Sequence, residues 1–145
     1  MQITSKFTIG VHVLTALEYF KNEYDITSGF LSSSVGANPV LIRTIMSDLK
    51  NAGLIKISQG KTGITLAKPL DEISFYDVYK ALDCVEENQL FHFHENPNTN
   101  CPVGRNIHFA MDKKLSKIQD SMENEMKAVS VKEVYDDIAK AIKHE

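Results

Sequence analysis

Three features of the sequence predict an α+β chain that is mostly helical. Apolar residues recur at helical spacing through several segments. Two short β-branched runs flank a glycine-containing turn. Seven apolar residues between positions 103 and 126 keep a near-heptad rhythm. Composition agrees: of 145 residues, 43 % are apolar and 24 % charged, which is globular and excludes a collagen-like or disordered chain. The longest apolar runs are a few residues, so neither a membrane span nor a membrane partner is expected. Residues 1–20 carry Lys6, His12 and Glu18 and lack a small-residue cleavage site, so no secretory signal is read and a cytoplasmic protein is expected. The two cysteines, Cys84 and Cys101, can build neither a disulfide framework nor a four-thiolate zinc site.

Residues 5–21 are the first predicted helix. Phe7, Val11, Leu14 and Leu17 make one apolar row, and Ile9, Val13, Ala16 and Phe20 another. A helix apolar over most of its circumference needs cover on several sides and belongs at the centre. After a polar break at 22–25, Thr27 can cap a short helix running to Val35, which Gly36 ends. Asn38-Pro39 opens the best-marked helix, with Asn as N-cap and Pro at the first position, where no hydrogen bond is lost. Ile42, Ile45, Leu49 and Ala52 form its buried stripe, and Gly53 is its stop. The other face carries Val40, Arg43, Thr44, Ser47 and Lys50, with no acid in the first two turns.

Two strands follow at 54–58 and 64–67, with Ile55 and Ile57 alternating on one side, and Pro69 closes the hairpin. Ser74 and Asp77 have capping-box form and open a helix with Phe75, Val78 and Leu82 on one side. Residues 86–100 read as a loop with a brief extended piece at 90–94. Cys101-Pro102 begins a long helix whose Val103, Ile107, Met111, Leu115, Ile118, Met122 and Met126 recur every three or four residues. That stripe runs about 36 Å, more than so small a globule covers. One flank can rest on residues 5–21 and the other on a second copy of the chain, for which these seven residues are the expected dimer interface. Ser130 and Glu133 form another capping box, and Val131, Val134, Ile138 and Ile142 line the last helix.

Charge is unevenly placed. The formal net charge is −3, yet residues 38–68 hold Arg43, Lys50, Lys56, Lys61 and Lys68 against Asp48 alone, while 69–99 hold seven acids and one base. A basic window inside an acidic chain is what one face meeting nucleic acid requires. Helix, short turn, helix and basic-tipped hairpin together outline a winged helix-turn-helix. This puts a DNA-binding domain at 1–73 and a helical dimerisation and possible sensing region at 74–145. Asn38, Pro39, Val40, Arg43, Thr44, Ser47 and Lys50 are the expected contacts of the recognition helix with double-stranded DNA. Arg43 can donate two hydrogen bonds to a guanine edge, and Val40 or the Thr44 methyl can meet a thymine methyl. Gln59, Gly60, Lys61 and Thr62 form the expected wing, the glycine allowing close approach to the backbone and Lys61 supplying charge. One such helix reads few base pairs, so a homodimer is expected to set two of them about 34 Å apart.

The order Ala52-Gly53-Leu54-Ile55, then Gly60-Lys61-Thr62-Gly63-Ile64-Thr65-Leu66-Ala67-Lys68-Pro69, then Ile73-Ser74 leading to Val78 and Ala81, resembles the BadM/Rrf-two winged-helix transcription regulators. IscR, NsrR and CymR belong to that group. The likeness runs through nearly the whole chain. His94-Glu95-Asn96-Pro97-Asn98, Cys101-Pro102-Val103-Gly104 and Met122-Glu123-Asn124-Glu125 are most similar to its YwnA-like subgroup. The resemblance implies homodimers on pseudo-palindromic operators, usually repressing. In the wing, the family's paired glycines before an aromatic are replaced by Gly63-Ile64-Thr65. Cluster-binding members place three cysteines before the long helix. Here only Cys101 stands there, so neither an iron–sulfur cluster nor another cofactor is expected.

Cys101 is the candidate redox sensor. It falls at the N-cap of the long helix with Arg105 one turn on, where unsatisfied N–H groups and positive charge favour a thiolate. The alternative is an N-cap cysteine without regulatory chemistry. His92, His94, Cys101 and His108 invite a metal reading, since zinc and copper accept His/Cys mixtures. Their spacing follows no strong metal motif, histidines flanked by Phe91 and Phe93 equally suit packing at an interface, and no metal site is expected. The chain has no P-loop, no G-x-G-x-x-G after a strand and no G-x-S-x-G elbow, so no enzyme is expected. The competing reading is a winged-helix module that holds a protein partner without sequence-specific DNA binding.

Overall fold

The computed structural model describes residues 3–58, 63–82 and 90–145. Along them run α1 (Lys6–Tyr19), α2 (Ser28–Val35), α3 (Pro39–Asn51), β1 (Ile55–Ile57), β2 (Ile64–Leu66), a 3-10 turn (Leu70–Glu72), α4 (Phe75–Ala81), α5 (Pro102–Ala128) and α6 (Val131–Lys143). The short 3-10 turn, which buries Leu70, is absent from the sequence reading.

α1 is the central helix its two apolar rows predict. Val13, Leu14, Ala16 and Leu17 are buried, and α2, α3, α4, α6 and β2 all pack on it. Gly10 sets the distance to α4, since a Cβ there would stand 2.5 Å from Leu82 Cδ1 and 3.2 Å from Val78 Cγ1. The flank of α1 expected to receive the long helix is closed by α6 instead, and α5 packs on α4. The cause lies in a backbone stitch. Phe75 N donates to Val129 O at 2.8 Å and Val131 N to Ile73 O at 2.8 Å, which seats Val131 in the core and returns the chain along α1.

Local signals fix the helix-turn-helix. Thr27 Oγ1 accepts from Phe30 N at 3.1 Å to start α2, and Gly36 ends it at φ 74°. Asn38 Oδ1 accepts from Val40 N at 2.7 Å to start α3, and Gly53 follows it at φ 78°. Ile42, Ile45, Met46 and Leu49 bury one side of α3. Each such side chain fully removed from water contributes about 1.5–3 kcal/mol.

β1 and β2 pair antiparallel in the register Ile55↔Leu66, Lys56↔Thr65, Ile57↔Ile64. Ile55 and Ile64 are buried, but Ile57, expected to alternate inward with Ile55, is 41 % exposed. It is the last residue of β1, and Ile64, its partner across the ladder, is buried. The capping boxes at Ser74/Asp77 and Ser130/Glu133 both form. The extended piece expected at 90–94 is not a strand. Leu90 N donates to Gln119 Oε1 at 2.9 Å, so a side chain of α5 replaces a ladder partner. Cys84 lies outside the described residues.

Candidate nucleic-acid interface

Steps of about 100° per residue place Val40, Arg43, Thr44, Ser47 and Lys50 within an arc of about 120° on α3, opposite Ile42, Ile45 and Leu49. All five are exposed, as are Asn38 and Pro39 at the start of the helix. Val40 is 62 % exposed, an apolar side chain left mostly in water. Thr44 Oγ1 donates to Val40 O at 3.1 Å, so its proton is used inside the helix and its methyl and lone pairs are what it offers outward. The Asn38 carbonyl oxygen is engaged as the cap, which leaves its amide nitrogen as donor. Arg43 and Lys50 stand in no ion pair among the described residues. This edge presents a fork donor, an ammonium, a methyl row and small hydroxyls, with no carboxylate in its first two turns.

Two ion pairs among the described residues raise a lysine pKa, and they lie elsewhere. The carboxylate of Glu18 raises Lys21, mainly through their 2.8 Å hydrogen bond, and that of Asp136 raises Lys132 through one of 2.7 Å. Both pairs line the cleft between α1, β2 and α6. Gln59, Gly60, Lys61 and Thr62 lie outside the described residues. The strands beneath them are described, and Lys56, Thr65 and Lys68 on and beside these strands are exposed.

At the head of α5, Cys101 is the N-cap, half-buried, with a free thiol that makes no cap hydrogen bond. Arg105 Nη1 donates to Thr99 O at 3.2 Å and braces the preceding loop. The histidines gather only in part. The ring of His94 lies 5.2 Å from that of His108, whose Nδ1 is 3.1 Å from Asp112 Oδ1. They line an open pocket of about 910 Å³ together with His92, and Cys101 does not line it. Asp112 was not singled out from the sequence, although its i, i+4 spacing from His108 on a helix is the signal that finds it. Along α5 no residue is buried: Val103 is 70 % and Ile118 54 % exposed, Ile107, Met111 and Leu115 are partly covered, and Met122 and Met126 touch the core.

A family model, Rrf2, described as "Iron-dependent Transcriptional regulator", matches residues 3–137. The "Putative HTH-type transcriptional regulator YwnA" of Bacillus subtilis (strain 168) is 36 % identical over 132 residues, 91 % of this chain and 96 % of that protein. A crystal structure of "a putative DNA binding protein" superposes with a TM-score of 0.70 at 31 % identity, covering 90 % of this chain and 98 % of the other. IscR of T. potens shares the fold, with a TM-score of 0.71 at 18 % identity over 97 % of this chain and 90 % of its own. The iron in the family's description does not fit the donors here. The sequence has two cysteines, and among the described residues no three of His, Cys, Asp and Glu converge to hold an ion. A thiolate-bound cluster asks for about four ligands.

Proposed function

The chain belongs to the Rrf2 family of transcriptional regulators, and on that premise we propose that it is a sequence-specific DNA-binding repressor, acting as a homodimer on a pseudo-palindromic operator. The observation that carries this reading is α3. Four buried side chains hold one face rigidly in the core, while Val40, Arg43, Thr44, Ser47 and Lys50 stand outward on the other. Base readout needs side chains on an element that cannot drift. Arg43 takes the guanine edge, and Val40 with the Thr44 methyl takes a thymine methyl. Lys50 and, at the wing, Lys61 neutralise phosphates, so affinity comes largely from counterion release. Gln59, Gly60 and Thr62 bring the wing close to the backbone.

The second copy joins through the uncovered side of α5, where Val103 and Ile118 remain in water, with the partly covered Ile107, Met111, Leu115, Met122 and Met126 completing the stripe. Cys101, at the head of that helix, is the thiol sensor in this reading. A peroxide takes its thiolate to a sulfenic acid and leaves as hydroxide, and the change reaches DNA through α5. A mobility-shift titration on the promoter of the protein's own gene, run at rising salt and with or without peroxide, tests the reading. Expected is a shift that weakens steeply with salt and is released by peroxide in the wild type but not in Cys101→Ser. A shift indifferent to salt contradicts DNA readout, and equal release of both proteins contradicts the role of Cys101.

A further inference from the structure

We propose that Gly63 is a positioning residue for DNA binding: its missing side chain lets the second wing strand seat on the backbone of Ile26, so that the wing and the α2–α3 pair meet DNA as one rigid surface. The inference rests on the DNA-binding reading. Ile26 is buried in the connection between α1 and α2, directly before Thr27, the cap of α2. Ile64 N donates to Ile26 O at 3.1 Å. A Cβ on Gly63 would collide with that same carbonyl oxygen and stand 3.3 and 3.4 Å from the carbonyl carbon and the nitrogen of Ile26. Every atom in the way is main chain, so nothing can swing aside. At Gly10, by contrast, the obstructing atoms are the ends of the Leu82 and Val78 side chains.

Three glycines among the described residues adopt positive φ, and they separate two requirements. At Gly36 (φ 74°) and Gly53 (φ 78°) an added Cβ would meet nothing within 4 Å, so they need only the left-handed backbone. Gly63 (φ 57°) needs the backbone and the room. The ladder shows what that room secures. Ser58 N donates to Gly63 O at 2.9 Å and Ala67 N to Leu54 O at 3.0 Å, so by antiparallel alternation the Ile64 amide points away from β1. It would be an open edge donor without Ile26. β1 and β2 are the described strands of the expected wing, and Ile26 runs straight into the helix pair that ends in α3. One backbone contact therefore ties β2 to the segment that leads into α2 and α3.

The test compares Gly63→Ala with Gly53→Ala in the full-length protein, since the second carries the positive-φ cost without the collision. Expected is that Gly63→Ala alone lowers the slope of log affinity against log salt by about 1, as when one phosphate contact is lost. Its ratio of operator to random-sequence affinity should stay within about twofold of wild type, because the α3 side chains that read bases are untouched. Equal slopes in the two variants overturn the role of Gly63 while leaving the DNA reading intact. Salt-insensitive binding by the wild type overturns the reading and this role with it. Should Gly63→Ala not fold, hydrogen exchange in the wild type decides. The Ile64 amide should exchange as slowly as that of Leu49 in α3, and exchange at the rate of an unprotected edge amide overturns the proposal.

Discussion

α3 and α5 are both amphipathic helices, but the single chain completes only one of them. α3, with 13 residues, buries Ile42, Ile45, Met46 and Leu49, whereas α5, with 27, buries none. The apolar side of α3 is consumed by its own core, and what remains outward, Val40 apart, is polar and basic. On α5 it is the apolar side that remains outward, at a cost of about 25 cal/mol for each Å² left in water. The contrast separates two tasks. A helix locked by its own fold can aim side chains at a rigid, charged target, and a helix with an unfinished hydrophobic face is suited to completion by another copy. α5 repeats the division along its own length, since Met122 and Met126 touch the core while Val103 does not.

Removing a large side chain from each helix should expose this difference. Leu49→Ala, in the core beneath α3, should lower unfolding stability by about 2–5 kcal/mol, seen in chemical denaturation at any protein concentration. Ile118→Asp, on the uncovered side of α5, should change the stability of an isolated chain by no more than about 0.5 kcal/mol, because the site already faces water. Its effect should fall on assembly, as loss of the dimer in sedimentation and a denaturation midpoint that no longer depends on concentration. A large stability loss for Ile118→Asp in the monomer would erase the contrast between the helices.

The parts of the fold that were legible are those with local causes. Asn38-Pro39, Thr27 and the two capping boxes announce their helices because a side chain three or fewer residues away satisfies the first N–H groups. The two rows on α1 foretold a central helix because an apolar circumference has no other place. What stayed hidden depends on partners distant in sequence. That α6, not α5, closes α1 follows from the hydrogen bonds joining 73–75 to 129–131. That Ile57 is exposed while Ile64 across the ladder is buried is not written in the alternation of β1. At the candidate site, the exposure of the α3 edge was readable from periodicity. The internal bond of the Thr44 hydroxyl and the seat of Gly63 on Ile26 were not, for both are facts of distance.

The central claim is that the outward edge of α3 reads bases and does not merely attract phosphate. It is tested most directly by the affinity of Arg43→Ala for the operator and for random-sequence DNA at one salt concentration, with Lys61→Ala alongside. Arg43→Ala should lose about 1–3 kcal/mol on the operator and much less on random DNA, while Lys61→Ala weakens both alike. Equal losses on both DNAs for Arg43→Ala would contradict it.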